Sequence, residues 1–473
     1  MKQFNLLLLI GLFTITASHF SYSVDIIAWI LNVPFLLYLS QTKGIKSRVL
    51  FVLALLIAWS FAVAKIISEP IPFAMVFLFS FPLTIIHLPA YLVWDRFKDR
   101  KYSMFLFPVV AVITEWLQYT FTPFASWGVA AYTQSHSLTI LQSLSLFGMA
   151  GLSFLIYWIN ISIVEIIRTK KLRIYNSYLP VGLLIAFLIY GSLKIDFVKS
   201  NSSEMIIVAA IGTDSEVSGL PLPDETTNNR YKNKLLERTI IAAEKGAKIV
   251  VWNEASVVIL KENENSWIDT IKMLAKNNEI SLISSYIIPI STDPLKYENK
   301  LLSLNSKGEV VYQYLKHQPV PGEPSTKGKE PFKIMTDNGL NIGAAICYDF
   351  DYPYIAKAYG KLNVNIVAVP SSDWRGIDPL HTKMAALRAI EQGYSVLRST
   401  RFGLSAVINP LGEMTAQQSS FDDNSKIMIG EAPIHRITTL YSIIGDAFVF
   451  VCMGFLAVFF VMFYVNNKRI VLP

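Results

Sequence analysis

The chain has 473 residues, 52% of them hydrophobic and only 16% charged. Soluble domains carry about 25% charged residues, so an ordinary soluble globular protein is excluded. The net charge of +7, from 42 basic and 35 acidic side chains, owes much to short basic loops between apolar runs and gives no reason to expect a nucleic-acid partner. Two cysteines cannot build a disulfide scaffold, and Cys452 lies inside the last apolar run, remote in sequence from Cys347.

Crossing a bilayer takes about 20 apolar residues. Runs at about 4–21, 25–40, 49–67, 72–94, 103–121, 138–167 and 177–195 predict a bundle of about seven membrane helices, and a run at about 440–464 predicts one more. The first run reads as a span and not as a cleaved signal peptide, because ITASHFSYS offers no small-x-small site and further spans follow at once. Basic residues fall after the second, fourth and sixth spans, in TKGIKSR, DRFKDRK and RTKKLR; the intervening loops are almost free of them. The positive-inside rule then predicts cytoplasmic termini and an extracytoplasmic region between the seventh and eighth spans. The expected domains are 1–199, a transmembrane bundle, 200–437, an extracytoplasmic domain entered through the SNSSE hinge, and 438–473, the last helix and a short tail.

From Met205 the pattern changes. MIIVAAI, KIVVW, ISLISSYII, KLLSLN, VVYQYLK, NIGAAIC, NIVAVP, YSVLRST and LSAVINP read as strands. NRYKNKLLERTIIAAEKGA, SWIDTIKMLAKNNE and HTKMAALRAIEQG read as helices, which makes an α/β domain with helix-covered sheets. Three reactive residues stand at or just beyond strand ends: Glu254 after KIVVWN, Lys316 after VVYQYL and Cys347 after NIGAAI. Such positions converge on one rim in α/β folds. Taken singly, a cysteine in an apolar run is a small core residue and a charge after a strand is a solvated loop group. Taken together, a carboxylate, an ammonium and a thiol can deprotonate a nucleophile, attack a carbonyl and hold the oxyanion.

The neighbours of these three residues resemble the nitrilase superfamily, whose members place a Glu-Lys-Cys triad in an αββα sandwich. VVWNEAS is similar to the motif of the glutamate, YLKHQPVPGEP to that of the lysine with a second glutamate at Glu323, and AICYDFDYP to that of the cysteine with Tyr348 and Asp349. The segment from Met384 to Glu413 resembles the region after the nucleophile, with Arg388, Glu391, Arg398 and Asn409 at matching polar positions. Within the superfamily, KHQPVPGE, the run EWLQYTFTPFASWG and the paired membrane segments resemble the apolipoprotein N-acyltransferase family. The ionisable Glu115 in that run suits an interhelical hydrogen bond.

This resemblance implies a bacterial inner-membrane acyltransferase that needs no cofactor or metal. It would take an acyl chain from a phospholipid onto Cys347 as a thioester, with Glu254 as base and Lys316 at the oxyanion. The chain would then pass to the α-amino group of a diacylated apolipoprotein. Trp127, Phe124 and Trp374 are candidates for guiding acyl chains, with burial against the bundle as the plainer alternative for each. Three departures from the family pattern stand out: Asn253 replaces a proline before Glu254, Asp349 replaces a glutamate, and SSDWRGIDPLH, with Ser371, Ser372 and Arg375, replaces an Asn-Asp-x-Trp-Phe segment. Asn253 is expected to loosen the turn before the base, and Asp349 to alter site geometry. The competing readings are a membrane-tethered amidase or nitrilase and a non-catalytic receptor with a degenerate domain.

Overall fold

A computed structural model of the chain describes residues 2–201, 204–213, 222–422 and 425–471; Ser202 and Ser203 of the expected hinge lie outside the described residues. Contacts divide the chain into two units, Met1–Phe197 with Ile443–Pro473, and Val198–Ser442.

The first unit contains α1 (Lys2–Ser18), α2 (Val33–Gln41), α3 (Ile45–Ala64), α4 (Met75–Phe97), α5 (Leu106–Phe121), α6 (Leu138–Leu141), α7 (Leu144–Thr169) and α8 (Tyr178–Ser200), followed after the second unit by a C-terminal helix, Ala447–Val471. Among the described residues, six helices are long and apolar enough to cross a membrane, and Phe4–Ser18 and Asp25–Gln41 are shorter apolar stretches. The run expected at 25–40 is not one continuous helix, because a 3-10 turn (Asp25–Ile30) precedes α2. The break is held by α7: Asn160 accepts the Asn32 N–H at 2.7 Å and donates to the Ala28 carbonyl at 2.9 Å, while Tyr91 donates to the Asn32 side chain. An unpaired backbone group in hydrocarbon costs several kcal/mol, so these polar side chains are what makes an interrupted segment tolerable.

The run expected at 138–167 also divides, into α6 and an α7 that kinks at Gly148 (φ 63°, ψ −165°), a conformation only glycine adopts freely. Gly191 of α8 has a different reason: a Cβ there would come within 1.9 Å of the Thr139 carbonyl oxygen, so only glycine permits the close approach to α6. Buried Glu115 accepts the Ala130 N–H at 2.8 Å and the Tyr157 hydroxyl at 2.6 Å, pinning the loop after α5 to α7 in the interhelical role its position suggested. The basic loops meet at one end of the bundle. Arg48 and Lys98 share Asp95, each at 2.6 Å, and Arg168 reaches Asp99 at 2.7 Å.

The second unit runs β1 (Met205–Ile211), α9 (Glu225–Glu244), β2 (Ile249–Trp252), α10 (Glu264–Asn277), β3 (Ser281–Thr292), β4 (Leu295–Leu304), β5 (Val310–Leu315), β6 (Met335–Asp337), β7 (Leu340–Ala344), α11 (Pro353–Lys361), β8 (Ile366–Ser372), α12 (Leu380–Gln392), β9 (Ser395–Arg401), β10 (Leu404–Ile408), β11 (Met414–Ser419) and β12 (Ile427–Pro433). The strands form two six-stranded sheets, β12-β1-β2-β3-β4-β5 and β11-β10-β9-β8-β7-β6. Val208, Val251, Ile283 and Leu301 of one sheet meet Ile342, Ile366, Leu397 and Val407 of the other in a shared core. On the outer face of the first sheet, Leu235 and Ile271 of α9 and α10 pack on Ala209, Val250 and Leu282, and α12 lies against β9 and β10 of the second. The result is the expected αββα sandwich. Because β2 and β3 are parallel while β4 is antiparallel to both β3 and β5, the C-termini of β2 and β5 point to the same edge.

Candidate active site

The backbone presents its reactive groups at the ends of buried strands. Glu254 stands two residues beyond β2, Lys316 directly after β5, and Cys347 opens a 3-10 turn three residues beyond β7. Cys347 (φ 49°) and Ala255 (φ 48°) both hold left-handed backbone, which non-glycine residues adopt only where surrounding structure imposes it. Both positive φ values therefore flank the same chemistry.

Lys316 is 2% exposed and its Nζ donates to Glu254 Oε1 at 2.8 Å and to Glu323 Oε2 at 2.6 Å. Asn299 of β4 bridges the two carboxylates from the other side, donating to Glu254 at 2.7 Å and to Glu323 at 3.2 Å. Burial would lower the Lys316 pKa, but Glu254 and Glu323 outweigh it and hold it well above the ordinary value, so the amine is a fixed cation. Burial likewise would raise Glu323; Lys316 wins and keeps it a carboxylate. Buried ion pairs return little more than their desolvation cost, so stability alone gives no reason for this cluster. Cys347 donates weakly to the Ser372 carbonyl at 3.6 Å. Burial pushes its thiol pKa well above the ordinary value, the Glu254 charge adds to the effect, and Lys316 pulls the other way. The resting cysteine is a neutral thiol that needs a base.

A second charged group lies against the thiol. Asp373 receives a bidentate pair from Arg398, both bonds at 2.9 Å, and His381 faces Asp373 at 2.7 Å and Asp351 at 2.9 Å. Burial would lower the His381 pKa; the two aspartates outweigh it and hold it up at about 9, so the ring is a cation. Burial would raise Asp373, but Arg398 and His381 hold it down at about 2. One ligand atom each from Cys347, Asp373 and His381 falls within 4.8 Å of the others. The donor set does not suit a metal: Arg398 covers both Asp373 oxygens and both His381 nitrogens face carboxylates, which makes this a balanced ion network.

Two family models match the chain, carbon-nitrogen hydrolase over residues 207–440 and the apolipoprotein N-acyltransferase N-terminal domain over residues 11–162. The chain belongs to the apolipoprotein N-acyltransferase family. Relatives include apolipoprotein N-acyltransferases of Rickettsia prowazekii (strain Madrid E), 24% identical over 67% of this chain and 68% of the relative, and Pseudomonas syringae pv. tomato, 25% identical over 74% and 73%. Apolipoprotein N-acyltransferase 1 of Treponema denticola is 25% identical over 94% of each chain. Lipoprotein N-acylation is the activity this membership carries, and the tethered-amidase and receptor readings fall away with it.

In this N-acyltransferase the departures from the family pattern acquire physical meanings. Asn253 does not loosen its turn: fully buried, it accepts from the Thr213 N–H at 2.8 Å and donates to the Glu254 carbonyl at 2.9 Å, tying the loop after β1 to the Glu254 backbone. Asp349 forms no hydrogen bond to the Glu254, Lys316 or Cys347 side chains among the described residues. It accepts from the Tyr314 hydroxyl at 2.7 Å and from the N–H groups of Gln318 at 2.6 Å, Ile346 at 3.2 Å and His317 at 3.3 Å. It thereby bolts the lysine loop to the cysteine turn. Burial pushes its carboxyl up to about 6 against the Tyr314 hydroxyl, the Lys316 charge and the Gln318 N–H. Ser371 lends its carbonyl to the Glu254 N–H at 3.3 Å, Ser372 holds the thiol, and exposed Arg375 stacks on Phe421 at 4.1 Å.

Other expected positions separate. Tyr348 is buried edge-on against Tyr352. Of the four matched polar positions, Arg398 lies beside the thiol, whereas Arg388 and Glu391 pair with each other at 2.7 Å within α12 and Asn409 caps the turn after β10. Trp127 and Phe124 are half-buried on the bundle rings of Phe20 and Phe79, and Trp374 is half-buried after β8. Sequence reasoning missed Asn299, Asp351, Asp373, His381 and Arg401, the last of which joins Ser372 to the Ala255 carbonyl at 2.9 and 3.2 Å. Asn299 stands one residue before the expected strand KLLSLN and falls inside the longer observed β4, so no local signal marked it.

Proposed function

We propose that Glu254, Lys316 and Cys347 carry acyl transfer by a two-step mechanism with a phospholipid as donor. In the first step Glu254 takes the thiol proton as Cys347 attacks the ester carbonyl. The oxyanion collects at Lys316, whose charge the two carboxylates keep in place. Collapse breaks the ester bond, and the proton on Glu254 passes to the departing lysophospholipid oxygen. The thioester remains on Cys347 and Glu254 is again a carboxylate. In the second step the α-ammonium of the diacylated apolipoprotein loses one proton to solvent and the free amine attacks the thioester. Glu254 takes the remaining excess proton from the nitrogen as the C–S bond breaks, and the leaving thiolate recovers that proton from Glu254. Glu323 stays a carboxylate and balances Lys316 when Glu254 is protonated. One observation carries this reading: a buried Glu254–Lys316–Glu323 cluster electrostatically coupled to a neutral thiol on left-handed backbone.

Membranes incubated with acyl-labelled phospholipid and quenched in acid are expected to yield a hydroxylamine-sensitive label, mapped by mass spectrometry to the peptide carrying Cys347. A label on any other residue, or none in an active preparation, removes Cys347 as the carrier. The one-sided basic loops support a cytoplasmic position for that end of the bundle and an outward-facing catalytic unit. In intact spheroplasts a membrane-impermeant maleimide should label a Lys307→Cys variant, whose site is an exposed turn while Cys347 and Cys452 are buried. Labelling only after lysis would reverse the orientation.

A further inference from the structure

The first unit carries a cavity outside all the chemistry described above. Its volume is about 370 Å³ and its lining is mostly apolar, from Phe455, Val458, Phe459, Met462 and Phe463 of the C-terminal helix, closed by Arg100, Lys101 and Tyr102 of the loop after α4. Binding pockets for small molecules begin at about this size. Its wall is a rigid aromatic cluster: Phe97 meets Phe459, Phe460 and Phe463 at ring distances of 5.7, 5.6 and 5.0 Å. The polar end is basic in a specific way. The carboxylates of this end are already engaged, Asp95 by Arg48 and Lys98, and Asp99 and Glu165 by Arg168. Arg100 and Lys101 form no ion pair among the described residues; Arg100 lies over the Phe463 ring at 5.3 Å and Lys101 over Tyr102 at 4.7 Å. Two uncompensated cations and a tyrosine thus cap an apolar slot that runs along a membrane helix.

We infer that this cavity binds an anionic phospholipid, with its phosphate on Arg100 and Lys101 and an acyl chain along Val458, Phe459 and Met462. A water-soluble anion would satisfy the cations and leave the slot empty, and a zwitterionic lipid would match the slot while its own ammonium weakens the attraction. Each Lys or Arg facing an acidic headgroup contributes about fivefold in affinity, on the order of 30-fold for the two together. The lipid is a bound structural partner and not the acyl donor, so the inference stands apart from the proposed mechanism and its readout is retention, not turnover.

The test is native mass spectrometry of the full-length protein from nanodiscs of phosphatidylcholine and phosphatidylglycerol in equal parts. The protein is expected to retain phosphatidylglycerol preferentially. The Arg100→Gln/Lys101→Gln variant should lose that preference, and Met462→Trp, which fills the slot without changing a charge, should lower retention as well. Lys170→Gln/Lys171→Gln removes two exposed charges of the neighbouring basic loop and should leave retention unchanged. Equal loss from both charge pairs would show attraction to surface charge alone, and unchanged retention in Arg100→Gln/Lys101→Gln would show no site; either result overturns the inference.

Discussion

Cys347→Ser is expected to abolish acyl transfer and thioester formation while leaving the thermal stability of the protein nearly intact. The substitution is close to isosteric, and the thiol it removes is neutral and makes one weak bond, to the Ser372 carbonyl at 3.6 Å. No charge loses a partner, so the cost should stay within about 1 kcal/mol, or roughly 2–4 °C in melting temperature for a unit of this size. The rate is another matter. Burial and the Glu254 charge already raise the thiol pKa, and they act in the same direction on a serine hydroxyl that starts far less acidic. Glu254 therefore cannot deprotonate it. Losing the nucleophile of a triad removes up to about a millionfold in rate, so transfer to a diacylated lipopeptide should fall by at least about 10⁴-fold. A Cys347→Ser variant that keeps a readily measured rate would exclude the thioester route.

Much of the catalytic unit was legible because its central strands are buried on both faces and read as continuous apolar runs. MIIVAAI became β1 residue for residue. The elements that escaped notice lie at the sheet edges or are short. β11 and β12 are the outermost strands of the two sheets, with polar or glycine-containing sequences, MTAQQS and IMIGEAP, whose strand character comes from pairing with β10 and β1. β12 finds β1 from the far end of the unit, and no local window contains that partner. β6 has three residues and α11 nine. In the bundle, the lengths of the long spans could be read from hydropathy. The break before Asn32 could not, because it depends on Asn160 of α7.

The site divides along the same line. Glu254, Lys316 and Cys347 could be picked out because each interrupts an apolar strand pattern with a reactive group. The pieces that set their electrostatics were invisible: Asn299 sits on a strand between the two carboxylates, and His381 and Asp373 converge from α12 and the segment after β8. Asp349 shows why a motif difference alone misleads. The missing methylene, set against the family's glutamate, suggested a change at the reacting centre, yet the carboxylate spends its acceptor capacity on three backbone N–H groups and a tyrosine that join two loops. It sits between the loop that carries Lys316 and the turn that carries Cys347.

Lys316→Met should lose activity as Cys347→Ser does, but with a large loss of stability. The ammonium is the shared counter-charge of Glu254 and Glu323, at 2.8 and 2.6 Å, in a site from which water is excluded. Without it two buried carboxylates face each other across Asn299, and breaking a buried pair by removing one partner costs about 3–5 kcal/mol. The lost cation also removes an oxyanion contact worth about 10²–10³-fold in rate, so both observables move. The pH dependence separates charge from packing. In the native protein Lys316 outweighs burial and keeps the Glu323 pKa below its ordinary value, so that carboxylate stabilises the fold above the unfolded pKa and the benefit is lost as pH falls. In Lys316→Met burial and the facing carboxylate are opposed only by the hydrogen bonds from the Val320 N–H and Asn299, and they raise a folded-state pKa above the unfolded one. The variant should then be most stable in acid and lose stability as pH rises, for example from about 5 to 8, which melting curves over that range will read. Lys316→Met/Glu323→Gln removes one of the two facing charges and should recover part of the stability with none of the activity. Recovery of both would mean that Lys316 serves only to neutralise the carboxylates, and the oxyanion role would have to pass to another group.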